Sequence, residues 1–82
     1  MWYVYFLKSL SKYNWIYVGS TNNLDRRFSE HNSKKVNSTK HFVPLSIIYT
    51  EEYSTEIEAR QKEKYYKRWD GRIMKKHIVN NI

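Results

Sequence analysis

Hydrophobic and polar positions follow two periods along the chain, and the points where the period changes outline its elements. Trp2 to Leu7 (WYVYFL) is aromatic, aliphatic or β-branched throughout, the composition of a central strand covered on both faces. A polar stretch from Lys8 to Asn14 separates it from a second short run, Trp15 to Val18, which Gly19 closes; the pair predicts a hairpin. Strand side chains alternate, so Tyr3 and Tyr5 share one face of the first strand and Trp15 and Tyr17 one face of the second, which makes two phenols neighbours. Ser20, Thr21, Asn22 and Asn23 are capping residues ahead of a helix over Leu24 to His31. On its wheel Leu24, Arg27, Phe28 and His31 share one face, while Arg26 points to the solvent side.

Asn32 to Val43 is polar and basic and ends at Pro44, the pattern of a loop. Pro44 to Thr50 (PLSIIYT) supplies a third strand, and the acidic Glu51 and Glu52 lead into a second helix with a capping box at Thr55 and Glu58. This helix is expected to reach about Trp69, with Asp70 and Gly71 as its stop signal; Arg72 to Val79 then forms a further short helix or a tail. The order ββαβα, with the extra C-terminal helix in the first case, predicts an α+β fold in which a small sheet carries helices. No repeat or low-complexity segment divides residues 1–82, which are read as one domain.

Length and composition agree with a single core: 82 residues, 40% hydrophobic and 17% aromatic, hold enough apolar material to fold and too little chain for two domains. With no cysteine, disulfide frameworks and zinc ribbons are excluded. The longest apolar run stops at Lys8, too short to span a bilayer, and the start lacks the marks of a signal peptide, so a cytoplasmic address and no membrane partner are expected.

Charge changes the picture more. Lys and Arg number 15 against 8 Asp and Glu, a formal net charge of +7 that favours polyanionic partners. Most of the excess lies between Arg60 and His77, where eight cations stand against Glu63 and Asp70. Lys62, Lys67, Arg68 and Arg72 from this stretch, with Lys34, Lys35, Lys40 and His41 from the loop, are candidate nucleic-acid contacts, each phosphate contact releasing counterions and making binding salt-dependent. The alternative is a solvated helix face. Composition admits DNA and RNA equally.

Glu63 does not fit its surroundings. It shares a helix face with Ala59 and Tyr66, and a carboxylate among core-type residues must be paired with Lys62, Lys67 or an arginine, reach solvent, or hold a cation.

Tyr3-Val4-Tyr5, Tyr17-Val18-Gly19-Ser20-Thr21, the segment LDRRFSEH from Leu24 to His31, and the segment EARQKEK from Glu58 to Lys64 resemble, in order and spacing, the GIY-YIG nuclease superfamily. The likeness is greatest to its small stand-alone bacterial members, and the superfamily includes the incision subunit of nucleotide excision repair. It covers Trp2 to about Trp69 and implies a three-stranded antiparallel sheet flanked by helices. By resemblance Tyr5 and Tyr17 are the paired tyrosines, Arg27 the helix arginine, His31 the histidine one turn on, and Glu63 the metal-binding carboxylate. Tyr3 stands where the family name has glycine.

Phosphodiester hydrolysis needs an activated water, charge stabilisation at phosphorus and help for the leaving oxygen. A lone carboxylate suits one Mg²⁺ or Mn²⁺ ion, which keeps several waters, and Arg27 suits the phosphate oxygens. Tyr17 is the candidate general base by resemblance, with Tyr5 orienting it or the water. Drawing a phenol from about 10 to about 7 takes roughly 4 kcal/mol, so His31 is the alternative base or an orienting group. Gly19 would let the backbone come close to the site, whereas Ser20 and Thr21 read as caps. Trp2, Phe6, Leu24, Phe28 and Ile48 are assigned to packing, and Trp69 to the core or to a stacking platform for a base. Two functions follow: a divalent-metal-dependent DNA endonuclease of repair or recombination, or a nucleic-acid-binding module with little turnover that acts with a protein partner supplying targeting.

Overall fold

The uninterrupted apolar run becomes the central strand. In the computed structural model, which describes residues 1–81 with the side chains of Trp69, Asp70 and Arg72 excepted, β1 (Trp2–Ser9) lies between β2 (Ile16–Thr21) and β3 (Leu45–Tyr53), antiparallel to both. Three helices complete an α+β fold of order ββαβαα: α1 (Leu24–Asn32), α2 (Glu56–Lys67) and α3 (Trp69–Asn80). Val4 to Leu7 are all buried, because β1 has neighbours on both edges and packed side chains on both faces. Val4 and Phe6 join Val18, Ala59 and Tyr66 in a layer beneath α2. Tyr5 and Leu7 face the other way and pack with Leu45, Trp15, Leu24 and Phe28 on the α1 side. One sheet thus separates two apolar layers, and they meet only around its rims.

Strand β2 runs on to Thr21, past the expected end at Val18, so Ser20 and Thr21 belong to the sheet; Asn23 caps α1, its side-chain oxygen accepting from the Arg26 N–H at 3.1 Å. At the other end of α1 the Lys34 N–H donates to the His31 carbonyl at 3.2 Å and the Lys35 N–H to the Glu30 carbonyl at 3.0 Å. This is a Schellman turn, and Lys34 occupies its left-handed position with φ 64°.

Strand β3 also outruns expectation, continuing through Glu51 and Glu52 to Tyr53. The pairing steps from Phe6 opposite Tyr49 to Leu7 opposite Ile47, a bulge that leaves Ile48 unpaired and reverses which face the following residues present. Glu51 then accepts hydrogen bonds from the hydroxyls of Tyr49, Tyr53 and Tyr66 at 2.7, 2.7 and 2.6 Å. Burial alone would raise its pKa; the three phenol donors outweigh that and hold the carboxyl below its ordinary range.

The second helix ends at Lys67 rather than near Trp69. Arg68 is extended (φ −85°, ψ 165°) and α3 starts directly after it, so Asp70 and Gly71 open a helix instead of stopping one. Gly71 permits the break: a Cβ there would fall on the Tyr65 carbonyl oxygen, so only glycine lets the first turn of α3 press on the last turn of α2. The role expected of Trp69 lies outside the described side chains.

Lysine in a left-handed turn is strained where glycine is not. Lys34→Gly is expected to stabilise the fold by about 0.5–1 kcal/mol in urea or thermal unfolding; an unchanged or lower midpoint would show that Lys34 does not carry this turn.

Candidate active site

Antiparallel pairing sets Tyr5 opposite Gly19 and Leu7 opposite Tyr17, so the two phenols are diagonal neighbours with ring centroids 6.4 Å apart. The missing side chain at position 19 creates the room: a Cβ there would lie 2.5 Å from the Tyr5 hydroxyl oxygen and 3.0 Å from the Tyr17 ring. Tyr17 is backed by Trp15, nearly parallel at 6.2 Å, and Trp15 stacks on Phe42 at 4.0 Å.

Helix α1 brings His31 beneath Tyr5. The histidine is fully buried, with Nε2 2.9 Å from the Tyr5 hydroxyl and Nδ1 2.8 Å from Thr39 Oγ1. Thr39 donates its own proton to the Val36 carbonyl at 3.5 Å, so it accepts from Nδ1–H, and Nε2 is left to accept the Tyr5 proton. Burial, helped by the Arg27 guanidinium, pulls the His31 pKa down to about 4. Burial likewise pushes the Tyr5 phenol up to about 12, Arg27 offsetting part of the rise. Tyr5 is therefore a protonated phenol whose hydrogen points at His31 and whose oxygen borders a cleft. His31 has no exposed surface and both nitrogens engaged, so it acts on that cleft through its neighbours, by the hydrogen bond to Tyr5 and by an edge contact with the Tyr17 ring at 5.2 Å. Thr39 was missed because a threonine in a polar loop carries no mark of burial; the expected loop folds back and buries Val36 and Thr39.

The cleft has a volume of about 340 Å³ and lies along the rim of the sheet at β2. Tyr5, Tyr17 and Arg27 border it from the α1 layer, and Ser20 and Glu63 border it from the α2 layer. Arg27 is held by Glu30, with Nη1 3.1 Å from Oε1. Glu63, one turn from Arg60 on α2, accepts from the Ser20 hydroxyl at 2.5 Å on Oε1 and from the Lys67 ammonium at 2.9 Å on Oε2. Of the alternatives for Glu63, pairing with Lys67 is realised, yet the carboxylate stays at the cleft and its side chain is 21% exposed. Ser20, expected as a cap, is instead its strand-borne partner.

Residues 1–77 match the family of the GIY-YIG catalytic domain. The chain belongs to the GIY-YIG family. It is 32% identical over 83 residues to a UPF0213 protein of Limosilactobacillus reuteri, covering 98% of this chain and 84% of that one. It is 34% identical over 64 residues to a UPF0213 protein of Bacillus licheniformis, covering 77% and 66%, and 42% identical over 53 residues to the UPF0213 protein YazA of Bacillus subtilis, covering 63% and 54%. The match thus spans about two thirds of one of these Bacillus proteins and about half of the other. No solved structure matches significantly.

This GIY-YIG domain gathers some expected contacts and leaves others aside. Arg26, expected on the solvent side of α1, is exposed but borders the cleft, as do Arg60 and Trp2; the Arg60 guanidinium lies 5.8 Å from a Trp2 ring centroid. Arg60 and Arg26 were missed because a helix wheel places a side chain relative to its own helix, not relative to a rim shared by two. Lys67 adjoins the site through Glu63 and the Tyr17 ring, 5.1 Å from its centroid. Lys62 turns away, over Tyr65 and Tyr66 at 4.9 and 5.2 Å. Lys34, Lys35, Lys40, His41 and Arg68 lie outside the cleft, and Arg72 falls outside the described side chains.

Among the described residues no three His, Cys, Asp or Glu side chains form a metal cage. The cleft offers a single carboxylate oriented by Ser20, its other acid, Glu30, being engaged by Arg27. That set fits a hydrated Mg²⁺ or Mn²⁺ ion shared between one carboxylate and substrate oxygens, and not a fully protein-ligated ion. No helix among the described residues is long and apolar enough to cross a membrane.

Unfolded histidine takes a proton near pH 6.5, whereas buried His31 resists it until about 4. Stability from this group is therefore complete above about 6.5 and lost as pH falls toward 4: a decline of about 1–2 kcal/mol by pH 5 is expected, and it should vanish in His31→Gln. Identical pH profiles of the two proteins would show that His31 is solvated. Gly19→Ala should drive the Tyr5 hydroxyl off His31 and lower unfolding stability by about 1–3 kcal/mol, read by urea titration; a wild-type midpoint would mean the phenols relax freely.

Proposed function

We propose that this GIY-YIG domain is a divalent-metal-dependent DNA endonuclease that acts in repair or recombination in the cytoplasm. The observation that carries the reading is convergence: two phenols, a guanidinium and a carboxylate from four elements border one solvent-open cleft. Glu63, oriented by Ser20, would hold one Mg²⁺ or Mn²⁺ ion, which supplies Lewis acidity to the leaving 3′ oxygen when bound. Arg27 clamps the non-bridging phosphate oxygens and never gives up its charge, and Glu30 keeps it in place. Because the Tyr5 proton is directed at His31, the Tyr5 oxygen accepts from the attacking water and turns it toward Tyr17, which as the phenolate would take the water's other proton and become the neutral phenol. His31 is a positioning residue in this scheme, fixed in turn by Thr39. Arg26 and Arg60 meet phosphates flanking the scissile one, Lys67 supplies a contact beside the cleft, and Lys34, Lys35, Lys40, His41, Lys62, Arg68 and Arg72 supply salt-dependent contacts further out.

A second reading, a nucleic-acid-binding module that works through a protein partner, is favoured by one observation: both Glu63 oxygens already have donors. Incubation with plasmid, flap and Holliday-junction DNA and Mg²⁺ or Mn²⁺ separates the two. Nicking should fall by about 10²-fold or more in Glu63→Ala and Arg27→Ala. Cleavage retained in both variants sinks the site; tight, steeply salt-dependent binding without cleavage selects the module.

A further inference from the structure

We propose that Lys67 is a tethered competitor for Glu63, so that this carboxylate is charge-balanced without metal and a divalent ion must displace the lysine to load. This rests on reading Glu63 as the metal-binding carboxylate. Glu63 has two donors of unequal permanence. Ser20 Oγ sits on a short side chain in β2 and donates to Oε1 at 2.5 Å, whereas the Lys67 ammonium donates to Oε2 at 2.9 Å from the end of a flexible stem that is 46% exposed. The serine fixes the carboxylate; the lysine can leave it. A cation arriving at that oxygen would meet the ammonium there, and the repulsion between like charges at contact distance sets the two in competition for it.

Position also sets Lys67 apart from other cations of α2. Arg60 is paired with Glu56 at 2.6 Å, and Lys62 lies over Tyr65 and Tyr66. Lys67 alone of these three bridges Glu63 and the face of Tyr17, where its ammonium is 5.1 Å from the ring centroid. Displaced by an ion, it keeps that aromatic face as a resting place beside the reacting groups. The pair therefore raises the metal concentration at which the cleft loads and holds the carboxylate in place until then.

Binding of Mn²⁺ alone, without nucleic acid, tests this by electron paramagnetic resonance of the free ion. Lys67→Met should bind Mn²⁺ two- to fivefold more tightly than wild type, as expected for release of a partly exposed ion pair. Lys64→Met, which removes the same charge from an exposed neighbouring position, should differ little from wild type, and Glu63→Gln should lose the site. Equal gains in Lys67→Met and Lys64→Met, or no gain in Lys67→Met while Glu63→Gln abolishes binding, would overturn the competitor role and leave the metal reading intact. Unchanged Mn²⁺ binding in Glu63→Gln would overturn the metal reading and this inference together.

Discussion

A buried hydroxyl bonded to a neutral histidine organises this molecule. Tyr5 lies in the most enclosed strand, and its oxygen cannot be left without a partner there, since an unmet buried polar group costs about 1–3 kcal/mol. His31 answers it, Thr39 answers His31, and the Val36 carbonyl answers Thr39. Three segments distant in sequence are thereby pinned to one another: the central strand, the end of α1 and a loop that composition alone would leave in solvent. No buried side-chain nitrogen or oxygen among the described residues lacks a partner, which is the condition for such a polar chain to stiffen a core instead of weakening it.

The second organising fact is that a single sheet divides the apolar interior. Side chains of opposite faces of a strand cannot meet through the sheet, only around its rim, and β2 provides one. Tyr17 and Ser20 belong to opposite faces of that strand, and each recruits its own helix, α1 with Arg27 or α2 with Glu63. The resulting cleft mixes guanidinium groups with two carboxylates that already have cationic partners, an environment suited to an incoming anion.

Much of this was readable from local pattern. The aromatic run could only be a covered strand, strand alternation put the two tyrosines side by side, and the helix wheel selected Arg27. The order of the motifs pointed to the family. What stayed hidden depends on contacts between distant residues. Glu51 reads as part of the lead into a helix until three phenols, one from α2, are seen to donate to it within β3. The end of α2 looks like Asp70 and Gly71 until Gly71 is found against the Tyr65 carbonyl. Ser20 reads as a cap because its partner lies 43 positions away. In each case a residue's local preference was overridden by a neighbour that no window of sequence contains.

The location of the cleft on the rim of a sheet has a further consequence. A tunnel or a capped groove admits a polymer by its end and measures distance from that end. A cleft open to solvent along a rim can be entered sideways, at any point along a thread. Chemistry performed there begins in the middle of long molecules as readily as near their tips.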